Sequence, residues 1–150
     1  MKKRGFTLVE IMIVVAIIAL LAAIAVPSLV RMRLQANESA SQAALKTVAT
    51  AEIAYRTANT TYATLALLGT PATGPAYIDT VLAAGTKNGY TFATSDIAAE
   101  TFCATAVPVA ANVTGVRSFC ITEDGVIRVQ AAGGAIGDRA TCAGLPATSP

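Results

Sequence analysis

The sequence Gly5-Phe6-Thr7-Leu8-Val9-Glu10 leads directly into a run from Ile11 to Val30 that carries no charged residue. As a helix, about 20 such residues span the roughly 30 Å hydrocarbon core of a bilayer. Lipid offers no hydrogen-bond partners, so a helix is the backbone conformation we predict for this run. The basic residues Lys2, Lys3 and Arg4 stand before it. By the positive-inside bias they predict a cytoplasmic N-terminus, with the rest of the chain beyond the membrane.

Glu10 is the discordant residue of this stretch. A carboxylate within a membrane helix costs about 3 kcal/mol on insertion scales, so it is expected to have a function and a partner. The alternative is that Glu10 lies near the membrane interface, where it reaches water or is protonated.

A short basic leader, Gly5, Phe6, Glu10 at a fixed offset and an apolar helix together resemble the type IV prepilin family, which comprises type IV pilins and secretion-system pseudopilins. The resemblance implies cleavage between Gly5 and Phe6 by a prepilin peptidase, followed by N-methylation of the new Phe6 amine. It also implies that Glu10 pairs with the Phe6 amine of a neighbouring subunit. A buried carboxylate with an ammonium partner costs far less than an unpaired one. An ordinary secretory signal is disfavoured, because the apolar run is too long and no small-residue cleavage site ends it.

The same resemblance implies a structural subunit of a helical filament that forms outside the inner membrane, in the periplasm or extracellularly. Before assembly the subunit is a single-pass inner-membrane protein. The implied partners are other copies of the chain, the peptidase, a platform protein and an assembly ATPase. Two alternatives stay open at this point: a pseudopilin of a type II secretion system, and a minor pilin that binds DNA or a surface.

The predicted organisation is an α+β chain in which a long N-terminal helix packs on a small antiparallel sheet. Its segments are a leader (1–5), a transmembrane and filament-core helix (6–30) and a globular domain (31–150). Within that domain we predict an amphipathic helix (31–58), a connecting loop (59–88), a sheet (89–130) and an irregular tail (131–150).

The amphipathic half of the helix is predicted from apolar residues at spacings of three and four. Glu38 and Glu52 fall off this stripe. Pro27, inside the helical pattern, removes one hydrogen bond and predicts a kink near residues 23–27. The resemblance implies that the helix melts there within a filament. The predicted stripe is Leu29, Met32, Ala36, Ala40, Ala44, Val48, Ala51, Tyr55 and Ala58.

Short helical pieces are predicted near residues 62–69 and 77–84, and the sheet is predicted as an antiparallel meander. Glu123-Asp124-Gly125 forms its last hairpin turn, with Gly125 free to adopt positive φ. The expected strands are Tyr90–Ala93, Thr101–Val107, Arg117–Thr122 and Val126–Gln130. The side chains expected to cover the helix are Phe92, Phe102, Phe119, Ile121 and Ile127.

Cys103, Cys120 and Cys142 would all lie in an oxidising compartment. If the second and third strands form a hairpin about Asn112, Cys103 and Cys120 come nearly opposite one another, and that pair is our first choice. Cys142 bridged to Cys120 or Cys103 is the second choice, which resembles the C-terminal disulfide loop of many pilins. Three free thiols are the third possibility. The spacing is unlike a zinc site, since the chain has no CxxC pair and no histidine.

The sequence predicts neither an enzyme nor a cofactor. Acid–base schemes lose their usual base without histidine, and no catalytic or metal-binding residue is predicted. Once the leader is removed, basic and acidic side chains nearly balance, so a dedicated nucleic-acid binder is not expected. The only candidates for a basic patch are Lys87, Arg117 and Arg128.

Overall fold

The computed structural model describes residues 5–148. Met1–Arg4, which hold the basic part of the predicted leader, and the final two residues lie outside the described part. The chain divides into two compact units, with the boundary between Arg33 and Leu34.

Helix α1 spans Leu8–Asn59 and is unbroken at Pro27. The predicted long helix is therefore confirmed, while its melting within a filament stays a prediction. In the first unit the large apolar side chains of this helix are exposed; Leu8, for example, is 75% exposed. Within the helix an 18-residue window has a mean hydropathy of 3.0, with none of it buried. By length and composition, this helix can cross a membrane.

The second unit contains an antiparallel meander, as predicted, but it has five strands, in the order β1-β2-β3-β4-β5, where four were expected. The strands are β1 Thr86–Lys87, β2 Tyr90–Ser95, β3 Cys103–Pro108, β4 Ser118–Thr122 and β5 Ile127–Gln130. Strand β1 lies inside the predicted connecting loop, and Asn88-Gly89 joins it to β2. Both turn residues have positive φ, 52° and 75°, as a tight hairpin connection requires. The turn at Gly125 also has positive φ, 73°.

Two short helices precede the sheet, α2 at Leu65–Gly69 and α3 at Thr80–Ala83. The side chain of Thr64 caps α2, and that of Asp79 caps α3 by accepting the Leu82 N–H. Side-chain oxygens of this kind satisfy the donors that a helix N-terminus leaves unpaired. The short helical pieces predicted in this region are present, with shorter bounds.

The core lies between the second half of α1 and one face of the sheet. Ala44, Leu45, Val48 and Ala51 contribute from the helix. The five aromatic and aliphatic side chains predicted to cover the helix are all buried there, at 6% exposure or less.

The buried face of α1 agrees with the predicted stripe only in part. Ala44, Val48 and Ala51 are buried as predicted. Leu29 and Met32 are exposed, whereas Glu38 and Glu52 are buried with exposed fractions of 6% and 0%. The alanine-rich sequence presents small side chains on several faces, so its periodicity does not specify one stripe. Both carboxylates lie on the packed face, where they accept hydrogen bonds from Ala63, Val116 and Arg117.

The C-terminal segment is more ordered than predicted. Helix α4 spans Arg139–Ala143 and is capped by Asp138. Ile136 and Cys142 cover the outer face of the sheet in a second, smaller cluster. All five residues of β4 are buried, because this strand is covered on both faces. The segment also pairs with β5 through the Thr148 N–H, which donates to the carbonyl of Ile127 at 2.8 Å.

Candidate functional site

The residues before helix α1 carry the predicted processing site. Gly5 and Phe6 are exposed, and Phe6 is 83% exposed. A Cβ added at Gly5 would meet no atom within 4 Å. The local fold therefore does not require a glycine at this position.

Thr7 and Glu10 form a reciprocal cap at the start of α1. The N–H and the hydroxyl of Thr7 both donate to Glu10 Oε2 at 2.8 Å. The Glu10 N–H donates in return to Thr7 Oγ1 at 3.2 Å. This is the capping-box arrangement, in which each side chain satisfies a backbone donor of the other residue. The carboxylate of Glu10 thus has partners within its own chain.

The Thr7 contact was not anticipated from the sequence, although its signal is present there. Thr-x-x-Glu immediately before an apolar helical run is the sequence signature of a capping box. The contact matters for any account of Glu10, because removing its side chain changes two properties at once: the charge and the helix cap.

The apolar segment that follows offers a continuous surface for burial. Large side chains from Leu8 to Met32 are between 48% and 75% exposed. Each aliphatic side chain of this size gains about 1.5–3 kcal/mol when it is fully buried. A chain with this many exposed apolar groups is stable only in lipid or against another apolar surface.

In the second unit, Glu38 joins α1 to the loop between β3 and β4. Its Oε1 accepts the N–H groups of Val116 and Arg117 at 3.0 and 3.1 Å. Its Oε2 accepts the guanidinium of Arg117 at 2.6 and 2.8 Å. Burial acts to raise the pKa of Glu38, but the hydrogen bonds from Arg117 and Val116 outweigh it and lower the pKa. The buried carboxylate is therefore ionised, and each of its oxygens accepts two hydrogen bonds.

Glu52 is buried under different conditions. Its Oε2 accepts the Ala63 N–H at 2.9 Å, while within residues 5–148 its buried Oε1 has no hydrogen-bond partner. Burial raises the pKa of Glu52 to about 7, and the Ala63 hydrogen bond opposes that rise only in part. Sequence reasoning missed both glutamates as buried groups.

The disulfide joins Cys120 to Cys142, with Cα atoms 6.0 Å apart. The first-choice pair, Cys103 with Cys120, is wrong, and the second-choice bridge to the tail is the one present. Cys103 pairs with Thr122, and Cys120 with Thr105, so the two cysteines are diagonal neighbours. Diagonal positions lie about 7–8 Å apart, beyond the usual reach of a disulfide. Cys103 is a buried free thiol, and burial raises its pKa.

The three basic residues considered as a patch each pair with a carboxylate. Arg117 pairs with Glu38, Arg128 with Asp124 and Lys87 with Asp79. Arg128 is half-buried, and its hydrogen bond lowers the pKa of Asp124 to about 2. The positive charges are thus balanced locally.

Comparisons with known proteins point in one direction. Residues 1–26 match the family described as "Prokaryotic N-terminal methylation motif". The chain is 47% identical over 51 residues to the type IV major pilin protein PilA of Myxococcus xanthus, a match that covers 34% of this chain but only 23% of that protein.

A second relative is matched over most of its length. The chain is 36% identical over 91 residues to the type IV wide pilus major component PilA4 of Thermus thermophilus, which covers 58% of this chain and 69% of that protein. Both relatives are named as major pilin components. With the prepilin motif, the exposed apolar helix and the antiparallel sheet, these matches show that the chain belongs to the type IV pilin family.

Proposed function

We propose that this protein is a structural subunit of a type IV pilus, with no catalytic role. It is made as an inner-membrane precursor with a cytoplasmic N-terminus, cut between Gly5 and Phe6 and methylated on the new amine. It then enters a helical filament through α1. The observation that carries the proposal is the exposed segment from Gly5 to Glu10 at the start of an exposed apolar helix.

Two features support the processing step. Gly5 is exposed, and the surrounding atoms leave room for a side chain. Since the fold does not require glycine there, we attribute the residue to a peptidase site that admits only a minimal side chain. The peptidase, a platform protein and an assembly ATPase are the partners that this role requires.

Glu10 is proposed to pair with the Phe6 amine of a neighbouring subunit. In the single chain its carboxylate is held by Thr7, so it need not be an unpaired charge in the membrane. Within a filament core, leaving an ammonium without its counter-charge costs about 3–5 kcal/mol. The capping box also fixes where the carboxylate lies before the neighbour arrives.

The decisive experiment separates the charge of Glu10 from its capping role. Glu10→Gln keeps a capping side chain, because glutamine also serves at this position of a capping box, but it removes the charge. Thr7→Ala removes the cap and keeps the charge. We expect few or no filaments from Glu10→Gln and near wild-type numbers from Thr7→Ala, counted by microscopy beside a membrane immunoblot.

Processing supplies the control. Gly5→Val should leave full-length precursor in the inner membrane, whereas both of the other variants should begin at Phe6 by N-terminal sequencing. Wild-type filament numbers from Glu10→Gln would refute the pairing. Filament loss confined to Thr7→Ala would assign Glu10 to helix capping alone.

A further inference from the structure

Three of the four asparagines in the chain, Asn37, Asn59 and Asn112, are each followed two residues later by serine or threonine, with no proline between them. Serine and threonine make up 25 of the 150 residues, so fewer than one such triplet would be expected among four asparagines. Asn-x-Ser/Thr is the acceptor sequence of N-linked glycosylation, which is used where it lies on the surface of an exported domain. The surroundings of the three triplets show which of them is accessible.

Asn37 is engaged in the fold. It lies within helix α1 and is half-buried. Its Nδ2 donates to the carbonyl of Thr114 at 2.8 Å, so the amide helps to hold the loop between β3 and β4. The next residue, Glu38, is buried and also holds this loop. A transferase could reach the Asn37 amide only by unfolding this part of the helix.

Asn112 is exposed, but its triplet is held in a tight loop. The Asn112 N–H donates to the carbonyl of Gly115 at 2.8 Å, and the Thr114 N–H donates to the carbonyl of Ala110 at 2.9 Å. The Thr114 hydroxyl lies 3.1 Å from both the N–H and the carbonyl of Ala110. The hydroxyl of this triplet is therefore already in use.

The Asn59 triplet stands at the surface where helix α1 ends. Asn59 is the last residue of the helix, and Asn59, Thr60 and Thr61 are all exposed. Thr60 has a φ of 63°, a left-handed conformation that turns the chain out of the helix. The Thr61 side chain is exposed, and within residues 5–148 its hydroxyl makes no hydrogen bond. Both recognition groups of this triplet are thus on the surface.

Freeing the Asn59 amide costs little. Its Nδ2 donates to the carbonyl of Tyr55 at 3.1 Å, in an exposed bond at the helix end. A bond of this kind contributes about 0.5–1.5 kcal/mol, and helix ends open readily. An open cleft beside the turn is lined in part by Thr60, Arg56 and Glu100. It leaves room for a sugar and offers hydrogen-bond partners to its hydroxyl groups.

We propose that Asn59 is the acceptor of an N-linked oligosaccharide. This inference rests on the proposed function, which puts the domain of residues 31–150 on the outer side of the inner membrane. The donor is an oligosaccharide linked to polyprenyl diphosphate, and an oligosaccharyltransferase catalyses the transfer. A bond forms between Asn59 Nδ2 and the anomeric carbon of the first sugar, while the bond from that carbon to the diphosphate oxygen breaks. The amide nitrogen loses one proton, and the polyprenyl diphosphate leaves with the electron pair of the broken bond.

The Thr61 hydroxyl is the second group that the transferase recognises. An enzyme site built to bind a substrate hydroxyl rejects the analogue without it by about 10⁴-fold. Thr61→Ala should therefore abolish the modification although Asn59 is unchanged, whereas Thr61→Ser keeps the hydroxyl and should keep the modification. Thr57→Ala is the matched control, because Thr57 is an exposed threonine in the same stretch but outside the triplet.

The test is mass spectrometry of tryptic peptides from filaments sheared off the cells that produce this chain. Trypsin cuts after Arg56 and after Lys87, and the peptide between them contains Asn59 as its single asparagine. We expect an added oligosaccharide mass on this peptide in wild type, Thr57→Ala and Thr61→Ser, assigned to Asn59 by fragmentation. Asn59→Gln and Thr61→Ala should carry none.

A wild-type peptide found only at its unmodified mass would overturn this inference and leave the proposed function intact. An oligosaccharide that remains on the peptide in Asn59→Gln would also overturn it, because the sugar would then be linked to a hydroxyl. A wild-type chain that forms no filaments would overturn the proposed function, and the same peptide from the membrane fraction would then decide the modification.

Discussion

Glu52 makes the stability of the second unit depend on pH in an unusual direction. Its side chain is fully buried, with one oxygen held by the Ala63 N–H and the other without a partner in the described part of the chain. Burial raises its pKa from 4.5 to about 7. In the unfolded chain the same carboxyl returns to its ordinary value.

The sign follows from proton linkage. Between about pH 4.5 and 7 the folded state keeps a proton on Glu52 that the unfolded state has released. Stability is therefore greatest below the unfolded pKa and falls as pH rises through the folded pKa. A rise of about 2.5 pH units corresponds to about 3 kcal/mol, at 1.36 kcal/mol per unit.

Other carboxylates change the stability of the fold at lower pH and with the opposite sign. Hydrogen bonds with Arg139 and Arg128 lower the pKa values of Glu123 and Asp124. Their stabilisation is present above the unfolded pKa and is lost as pH falls through the folded pKa. The chain has no histidine. The interval from pH 5 to pH 8 therefore reports mainly on Glu52.

The assay is urea unfolding of the full chain in detergent, followed by circular dichroism at pH 5, 6, 7 and 8 and constant ionic strength. We expect the wild type to lose about 2–3 kcal/mol across this interval, and Glu52→Gln to give a nearly flat profile. The quantity to compare is the slope of the free energy of unfolding against pH, not its absolute value, because a buried glutamine amide without a partner can itself cost about 1–3 kcal/mol.

Glu100→Gln is the matched control, since the side chain of Glu100 is 77% exposed in its pair with Arg56. It should keep the wild-type slope. A wild-type free energy of unfolding that does not change from pH 5 to pH 8 would refute the assignment. So would a slope that survives in Glu52→Gln.

Two further predictions concern the bonds that hold the second unit together. Arg117→Ala removes the guanidinium from buried Glu38 and should lower the free energy of unfolding by about 2 kcal/mol. Lys46→Ala, at an exposed lysine, should change it little. Equal effects of the two variants in urea unfolding would contradict the pairing of Arg117 with Glu38. Cys142→Ser opens a disulfide whose cysteines are 22 residues apart and should cost about 3 kcal/mol. Cys103→Ala should leave that bridge intact in non-reducing peptide maps, and loss of the bridged peptide would assign Cys103 to it.

The sequence predicts the long helix and the antiparallel meander because their signals are local. A charge-free run longer than a bilayer is thick has few other interpretations. The boundaries of the four predicted strands are correct to within two residues, since turn residues such as Gly89 and Gly125 mark them, whereas the two-residue strand β1 was missed. The disulfide could not be predicted this way, because a shift of two residues in the β3–β4 register decides which cysteines can meet.

The buried face of α1 illustrates the limit of periodicity. Alanine is compatible with both a packed and an exposed face, so the helix itself does not define its core side. Glu38 is placed inside by groups 78 and 79 residues away in the chain. No local pattern contains that information.

Glu10, Glu38 and Glu52 show how one side chain type serves three roles along a single helix. Transferring any of these carboxylates out of water is costly on its own. The three differ in the groups that donate hydrogen bonds to them. Thr7 gives Glu10 a local cap through Oε2, and we propose that its charge pairs with another chain. Glu38 receives a complete set of donors and is fixed. Glu52 receives a single donor, so its protonation depends on pH. The number and origin of the hydrogen-bond donors therefore distinguish the proposed assembly role of Glu10 from the anchoring role of Glu38 and the titration of Glu52.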